Sequence, residues 1–208
     1  MSGAGPGSTL AQVTRLLEAA GAPHFVTGSF ASTLHGAPRA TQDLDLLIDP
    51  TSEQLEHLLS GLPSAAYYVD RGAAREALRR RDMFNVIDLA SGWKVHLLVR
   101  KDRAFSREEH ARRRREEIDG VDVFVVSPED SVLSKLEWAS LSGSGRQLED
   151  ARGILAVQGA RHRPGPGLDA PALPAFAGEA LMACGASRAS DRRTREAGAE
   201  PRTACGFG

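Results

Sequence analysis

Cysteine is nearly missing: there are two in 208 residues, Cys184 and Cys205, both toward the C-terminal end and without metal-ligand spacing. That argues against a disulfide scaffold and against a cysteine zinc site, and it fits a reducing, cytoplasmic compartment. Runs of about 18 apolar residues are also missing, and the opening MSGAGPGS has neither the basic nor the apolar region of a signal peptide, so no membrane span and no secretory leader are expected. Excess charge of one sign is the third absence. A net charge of −1 gives no global attraction to nucleic acid, so any such contact requires a local basic patch. What remains, with 41% hydrophobic and 25% charged residues, is a globular chain able to bury one core and to carry an appended helical piece.

The stretch from Phe25 to Asp49, FVTGSFASTLHGAPRATQDLDLLID, concentrates the chemistry. Phe25 and Val26 read as a strand running into a Gly28-Ser29 turn. A short helix over Ala31 to Leu34 follows, stopped by Gly36 in a left-handed cap conformation, and Pro38 prevents it resuming. From Asp43 to Asp49 apolar and acidic residues alternate, which places Leu44, Leu46 and Ile48 on one face and Asp43, Asp45 and Asp49 on the other. Side chains two apart on a strand are separated by about 6.6 Å of rise. Asp43 and Asp45 can therefore share one hard divalent cation, Mg2+ or Mn2+, or a pair of ions about 4 Å apart. A triphosphate on such ions needs further donors. The Gly28-Ser29 turn at a helix start offers backbone N–H groups, the Ser29 hydroxyl and the positive end of the helix dipole, and Arg39 and Thr41 add phosphate contacts.

Taken singly, a Gly-Ser turn is usually a helix cap and an Asp-x-Asp is usually the wet face of a strand. In combination, G-S-x-A-x-x-x-x-G-x-x-R-x-T-x-D-x-D resembles the nucleotidyltransferase superfamily, and within it the branch of AbiEii- and MenA-type toxins of toxin–antitoxin systems. The resemblance covers Ser8 to Val157. It implies an NTP as substrate and Asp43 and Asp45 as metal ligands. It further implies transfer of a nucleoside monophosphate to an RNA, tRNA above all, or to a protein, with a cognate antitoxin or toxin as partner. The similar proteins carry a third acid in a G-W-K-V-D-L strand, where this chain has Gly92-Trp93-Lys94-Val95-His96-Leu97. His96 thus stands where a base or third ligand belongs. Imidazole accepts a proton near neutral pH and suits manganese or zinc better than magnesium, so the alternative reading is an impaired, nucleotide-binding regulatory protein.

Other segments frame this motif. Helices are expected over Ser8 to Ala20, capped by Ser8 or Thr9, over Thr51 to Leu59, and over Gly72 to Arg81, with a short strand at Tyr67 to Val69 between the last two. Met83 to Asp88 and Trp93 to Arg100 read as a hairpin that sets Asn85 opposite His96, leaving Asp88 a turn residue before it is a substitute acid. Phe105 to Glu117 reads as a charged helix. Its Glu108–Arg112 and Glu109–Arg113 spacings suit i,i+4 pairs, and its arginine run is either a solvated face or a basic ridge for phosphates. Ser127-Pro128-Glu129-Asp130 is a helix start. Lys135 falls in S-P-E-D-x-x-x-x-K, an element whose lysine, by the resemblance, reaches the nucleotide phosphates. The expected fold is α/β (α+β), a small mixed sheet flanked by helices. Residues 1–7 form a flexible N-terminus, 8–127 a nucleotidyltransferase-like domain, 128–158 a C-terminal helical part, and 159–208, dominated by Ala, Gly, Pro and Arg, a disordered tail.

Overall fold

The computed structural model describes residues 6–161 except 37, 39 and 42; Arg39 and the tail beyond residue 161 therefore lie outside the described residues. The chain opens with helix α1 (Pro6–Ala19), strand β1 (His24–Thr27), helix α2 (Gly28–His35) and strand β2 (Asp43–Ile48). Next come α3 (Ser52–Ser60), β3 (Tyr67–Val69), α4 (Arg71–Arg80), β4 (Met83–Asp88) and β5 (Lys94–Val99). It closes with α5 (Ala104–Arg112), β6 (Arg114–Ile118), β7 (Val121–Val125), α6 (Pro128–Ser142) and α7 (Gly145–Arg161). The seven strands form one mixed sheet in the order β3-β4-β5-β2-β1-β7-β6. β2 runs parallel to β5 and β1 parallel to β7, and the remaining neighbours are antiparallel.

Period-two patterning decides which face of this sheet becomes core. Leu44, Leu46 and Ile48 of β2, Val95, Leu97 and Val99 of β5, and Phe84 and Val86 of β4 are buried together with Leu10, Val13 and Leu17 of α1 and Leu55, Leu58 and Leu59 of α3. Helix α3 begins on a capping box in which Thr51 and Gln54 satisfy each other's backbone N–H groups. α6 and α7 pack on each other through a smaller cluster of Val132, Leu136, Ala151 and Ile154. Ser127 caps α6 by accepting from the Asp130 N–H at 3.1 Å, with Pro128 in the first turn.

Three local expectations change. α1 begins at Pro6, ahead of Ser8 and Thr9, because proline needs no N–H partner in a first turn. Thr9 lies inside the helix, buried, and its hydroxyl donates to Asp88 at 2.8 Å. Gly36 does end α2, but at φ −126° rather than in the left-handed region. Its lack of a side chain serves contact: a Cβ there would stand 2.9 Å from the Ile154 nitrogen and 3.0 Å from the Gly153 carbonyl carbon of α7.

The largest change concerns the arginines. The helix expected to run to Glu117 stops at Arg112, and Arg114–Ile118 pairs with β7 as an edge strand. Asp119 and Gly120, at φ 49° and 77°, supply the two left-handed positions of a tight hairpin turn. Glu108 and Arg112 form the expected pair at 2.9 Å. Glu109 and Arg113 do not: the Arg113 guanidinium lies 4.5 Å from the centre of the Phe124 ring, while Glu109 is buried. Gly36→Ala is expected to force α2 and α7 apart and to cost about 1–3 kcal/mol, the range for overpacking, measured as a lowered urea midpoint with an unchanged slope.

Candidate active site

The face of the sheet opposite the main core carries the motif residues. Pairing of β1 with β2, β2 with β5, and β4 with β5 sets Thr27, Asp45, His96 and Asn85 in one row across four strands. Asp43 lies one pleat further along the same face of β2. Above these residues is a cavity of about 420 Å³, of a size suited to a small molecule or a nucleotide. Gly28, Ser29, Asp43, Asp45 and His96 line it from the sheet side, and Glu109 of α5 and Lys135 and Trp138 of α6 line it from the helix side.

Asp45 is held from both directions. Its Oδ2 accepts from the Ser29 backbone N–H at 3.0 Å, and its Oδ1 lies 2.9 Å from His96 Nδ1. The Gly28 conformation makes this approach possible. At φ +64° it sits where side chains are rarely tolerated, and a Cβ would fall 2.1 Å from Asp45 Oδ2. The Asp43 carboxylate, by contrast, has no hydrogen-bond or ion-pair partner among the described residues. Thr41 does not line the cavity; its hydroxyl bonds the Asp43 backbone at 3.3 and 3.4 Å. Lys135 is buried, and its Nζ donates to Asp150 at 2.8 Å.

His96 takes its charge state from the acids around it. Asp45 as hydrogen-bond partner, with Asp43 nearby, raises the imidazole pKa above its ordinary value, against the opposing effect of partial burial. Asp88 is no substitute for the missing acid. It alternates onto the core face of β4, away from His96, where it accepts from Thr9 and from the Ala90 N–H at 3.0 Å.

Two carboxylates on one strand, one of them without a partner among the described residues, fit a hard divalent ion. Mg2+ is commonly held by one or two carboxylates, with substrate oxygens and waters completing its shell. Among the described residues no group of three or more His, Cys, Asp or Glu side chains forms a protein-only cage. An ion here would need oxygen ligands beyond these two carboxylates.

Sequence patterning gave no sign of Glu109 or Asp150 as neighbours of the site. α5 has no apolar stripe to mark its buried side. Its inward residues are Ser106 and Glu109, so periodicity is silent there. Burial, with the Asp130 carboxylate nearby, pushes the Glu109 carboxyl up to about 7, although a Ser134 hydroxyl hydrogen bond and Arg103 pull the other way.

No family model matches the chain, and no curated protein sequence matches it. Solved structures do. An antigenic nucleotidyltransferase-like protein from Paracoccidioides brasiliensis superposes with a TM-score of 0.54 at 18% identity, over 91% of this chain and 89% of its own. Lincosamide antibiotic adenylyltransferase LnuA with lincomycin bound aligns at TM-score 0.46 and 11% identity, over 71% of this chain and 95% of its own. ANT(2″)-Ia in complex with adenylyl-2″-tobramycin aligns at 0.48 and 16%, over 74% and 90%. The first of these likenesses establishes that the chain has a nucleotidyltransferase-like fold. Among the described residues no helix is long and apolar enough to cross a membrane.

Two outcomes follow from the ionisations. An NMR titration should find His96 above 6.5, and Asp45→Asn should bring it down; the stability of the pair is fully present below the ordinary value and is lost as pH rises through the raised one. For Glu109 the protonated form favours the fold, so stability falls as pH rises from 4.5 to about 7. Glu109→Gln should therefore change little near the low end of that window and stabilise at about pH 8 by up to about 3 kcal/mol, read from urea midpoints.

Proposed function

We propose that the protein transfers a nucleoside monophosphate from an NTP to a hydroxyl or phosphate acceptor. The observation that carries this reading is the presentation of Asp43 and Asp45 to the same cavity as the Gly28-Ser29 turn, with the Ser29 N–H already bonded to Asp45. Asp43 and Asp45 would hold Mg2+ or Mn2+, which would supply neutralisation of the triphosphate's charge. Gly28 and Ser29 cradle the β- and γ-phosphates at the start of α2, where the backbone N–H groups and helix dipole favour an anion. Arg39 adds a phosphate contact in this reading, while Thr41, outside the cavity, bonds the backbone of Asp43. Lys135 adds positive charge on the α6 side of the cavity once the triphosphate competes with Asp150 for it.

The motif resemblance to AbiEii- and MenA-type toxins makes tRNA the acceptor to test first, a protein acceptor the second, and an antitoxin the partner to seek. A specific observation favours a second reading. His96 occupies the third-acid position and is engaged by Asp45, which suits a protein that binds nucleotide without transferring it.

His96→Asp separates the two. With radiolabelled NTPs and bulk tRNA, the wild type is expected to label an acceptor with Mn2+, and the variant is expected to shift the preference to Mg2+, since carboxylate oxygen suits magnesium better than imidazole does. Labelling by the variant alone would make the native protein a nucleotide-binding regulator.

A further inference from the structure

Glu109 is a carboxylic acid that the reaction above leaves unused, yet it stands in the wall of the same cavity. It is 4% exposed. Burying a carboxylate is costly unless a cation compensates, and here the neighbouring cations are committed elsewhere. Arg103 is forked onto Glu137, Arg112 onto Asp130, and Lys135 donates to Asp150. Asp130 and Glu137 face Glu109 as further negative charges. Its one hydrogen bond among the described residues comes from the Ser134 hydroxyl to Oε1 at 3.2 Å, which leaves Oε2 without a partner. For structure alone, a glutamine or a leucine would serve this position at lower cost.

On the sheet side the cavity is lined by Asp43 and Asp45, which the transfer reading commits to the metal, and by His96, whose Nδ1 is bonded to Asp45. A proton leaving an acceptor hydroxyl therefore has two receivers, His96 Nε2 on the sheet side and Glu109 Oε2 on the helix side, and only the carboxylate is buried with no cation bonded to it among the described residues.

We propose that Glu109 is the proton acceptor of the transfer reaction, so that the acceptor enters between α5 and α6 with its hydroxyl on Glu109 Oε2. The hydroxyl oxygen forms the new bond to the α-phosphorus. The bond from that phosphorus to the bridging oxygen breaks, pyrophosphate leaves with the electron pair, and the hydroxyl proton passes to the Glu109 carboxylate. This inference rests on the nucleotide-transfer reading, and it assigns to the helix side of the cavity the base that the third acid would otherwise supply on the sheet side. A carboxyl poised near neutrality suits that role, since proton transfer is most effective when the pKa lies near the working pH.

Water serves as the probe acceptor, so the acceptor need not be known. The full-length wild type and Glu109→Gln are each incubated with ATP, CTP, GTP or UTP and Mn2+. NMP and pyrophosphate release is followed against pH, and NTP binding is followed by calorimetry. The expected result is that Glu109→Gln binds NTP within about two-fold of wild type, stays folded, and releases NMP about 10²–10⁴-fold more slowly. The rise of the wild-type rate with pH should be lost in the variant. Release by Glu109→Gln at the wild-type rate with the wild-type pH profile overturns the assignment and leaves the transfer reading standing. A wild type that releases no NMP from any NTP overturns both. Loss of NTP binding in the variant overturns the assignment by making Glu109 part of the nucleotide site.

Discussion

Asp45 between the Ser29 backbone and the His96 ring is the contact on which the site depends. It ties the start of α2 to the middle of β2 and to β5, so the turn, the carboxylate and the histidine are fixed relative to one another before any ligand arrives. The condition for it is an empty space: Gly28 has no side chain, and the carboxylate fills the place where one would be. Geometry of this kind favours a ligand when it is set in advance, because no binding energy is then consumed in building it.

The two sides of the cavity are held by different kinds of contact. The sheet side is organised by hydrogen bonds to Asp45, and the helix side by ion pairs that join α5, α6 and α7. Arg103 with Glu137, Arg112 with Asp130 and Lys135 with Asp150 each cross from one element to another. Breaking one partner of a buried pair is far costlier than breaking an exposed one, so the Lys135–Asp150 link, with side chains 5% and 7% exposed, fixes α6 against α7. The same lysine lines the cavity, which makes it a member of both the packing and the site.

How much of this could be read beforehand depended on the range of the interactions. β2, β4 and β5 were legible because alternation over six residues and a short turn leave one register, and Asn85 does face His96. The caps at Thr51 and Ser127 were legible for the same reason, being settled within four residues. Non-local contacts were not legible. The arginine run has helix-stabilising spacings, yet it becomes a strand because β7 offers it hydrogen bonds and Phe124 offers it a ring. Gly36 has the look of a conformational need but meets a need for closeness, set by a helix more than a hundred residues away. Glu109 has the spacing of a surface pair, and nothing in the α5 sequence distinguishes its inner side.

The outermost strands of the sheet carry a consequence of their own. At one border β3 is only three residues long, and at the other β6 presents Arg114, Arg115, Glu116 and Glu117, all exposed. Short or charged margins discourage the addition of foreign strands. The run of arginines that looks like a ligand-seeking ridge thus also insulates the sheet, keeping seven strands from recruiting an eighth.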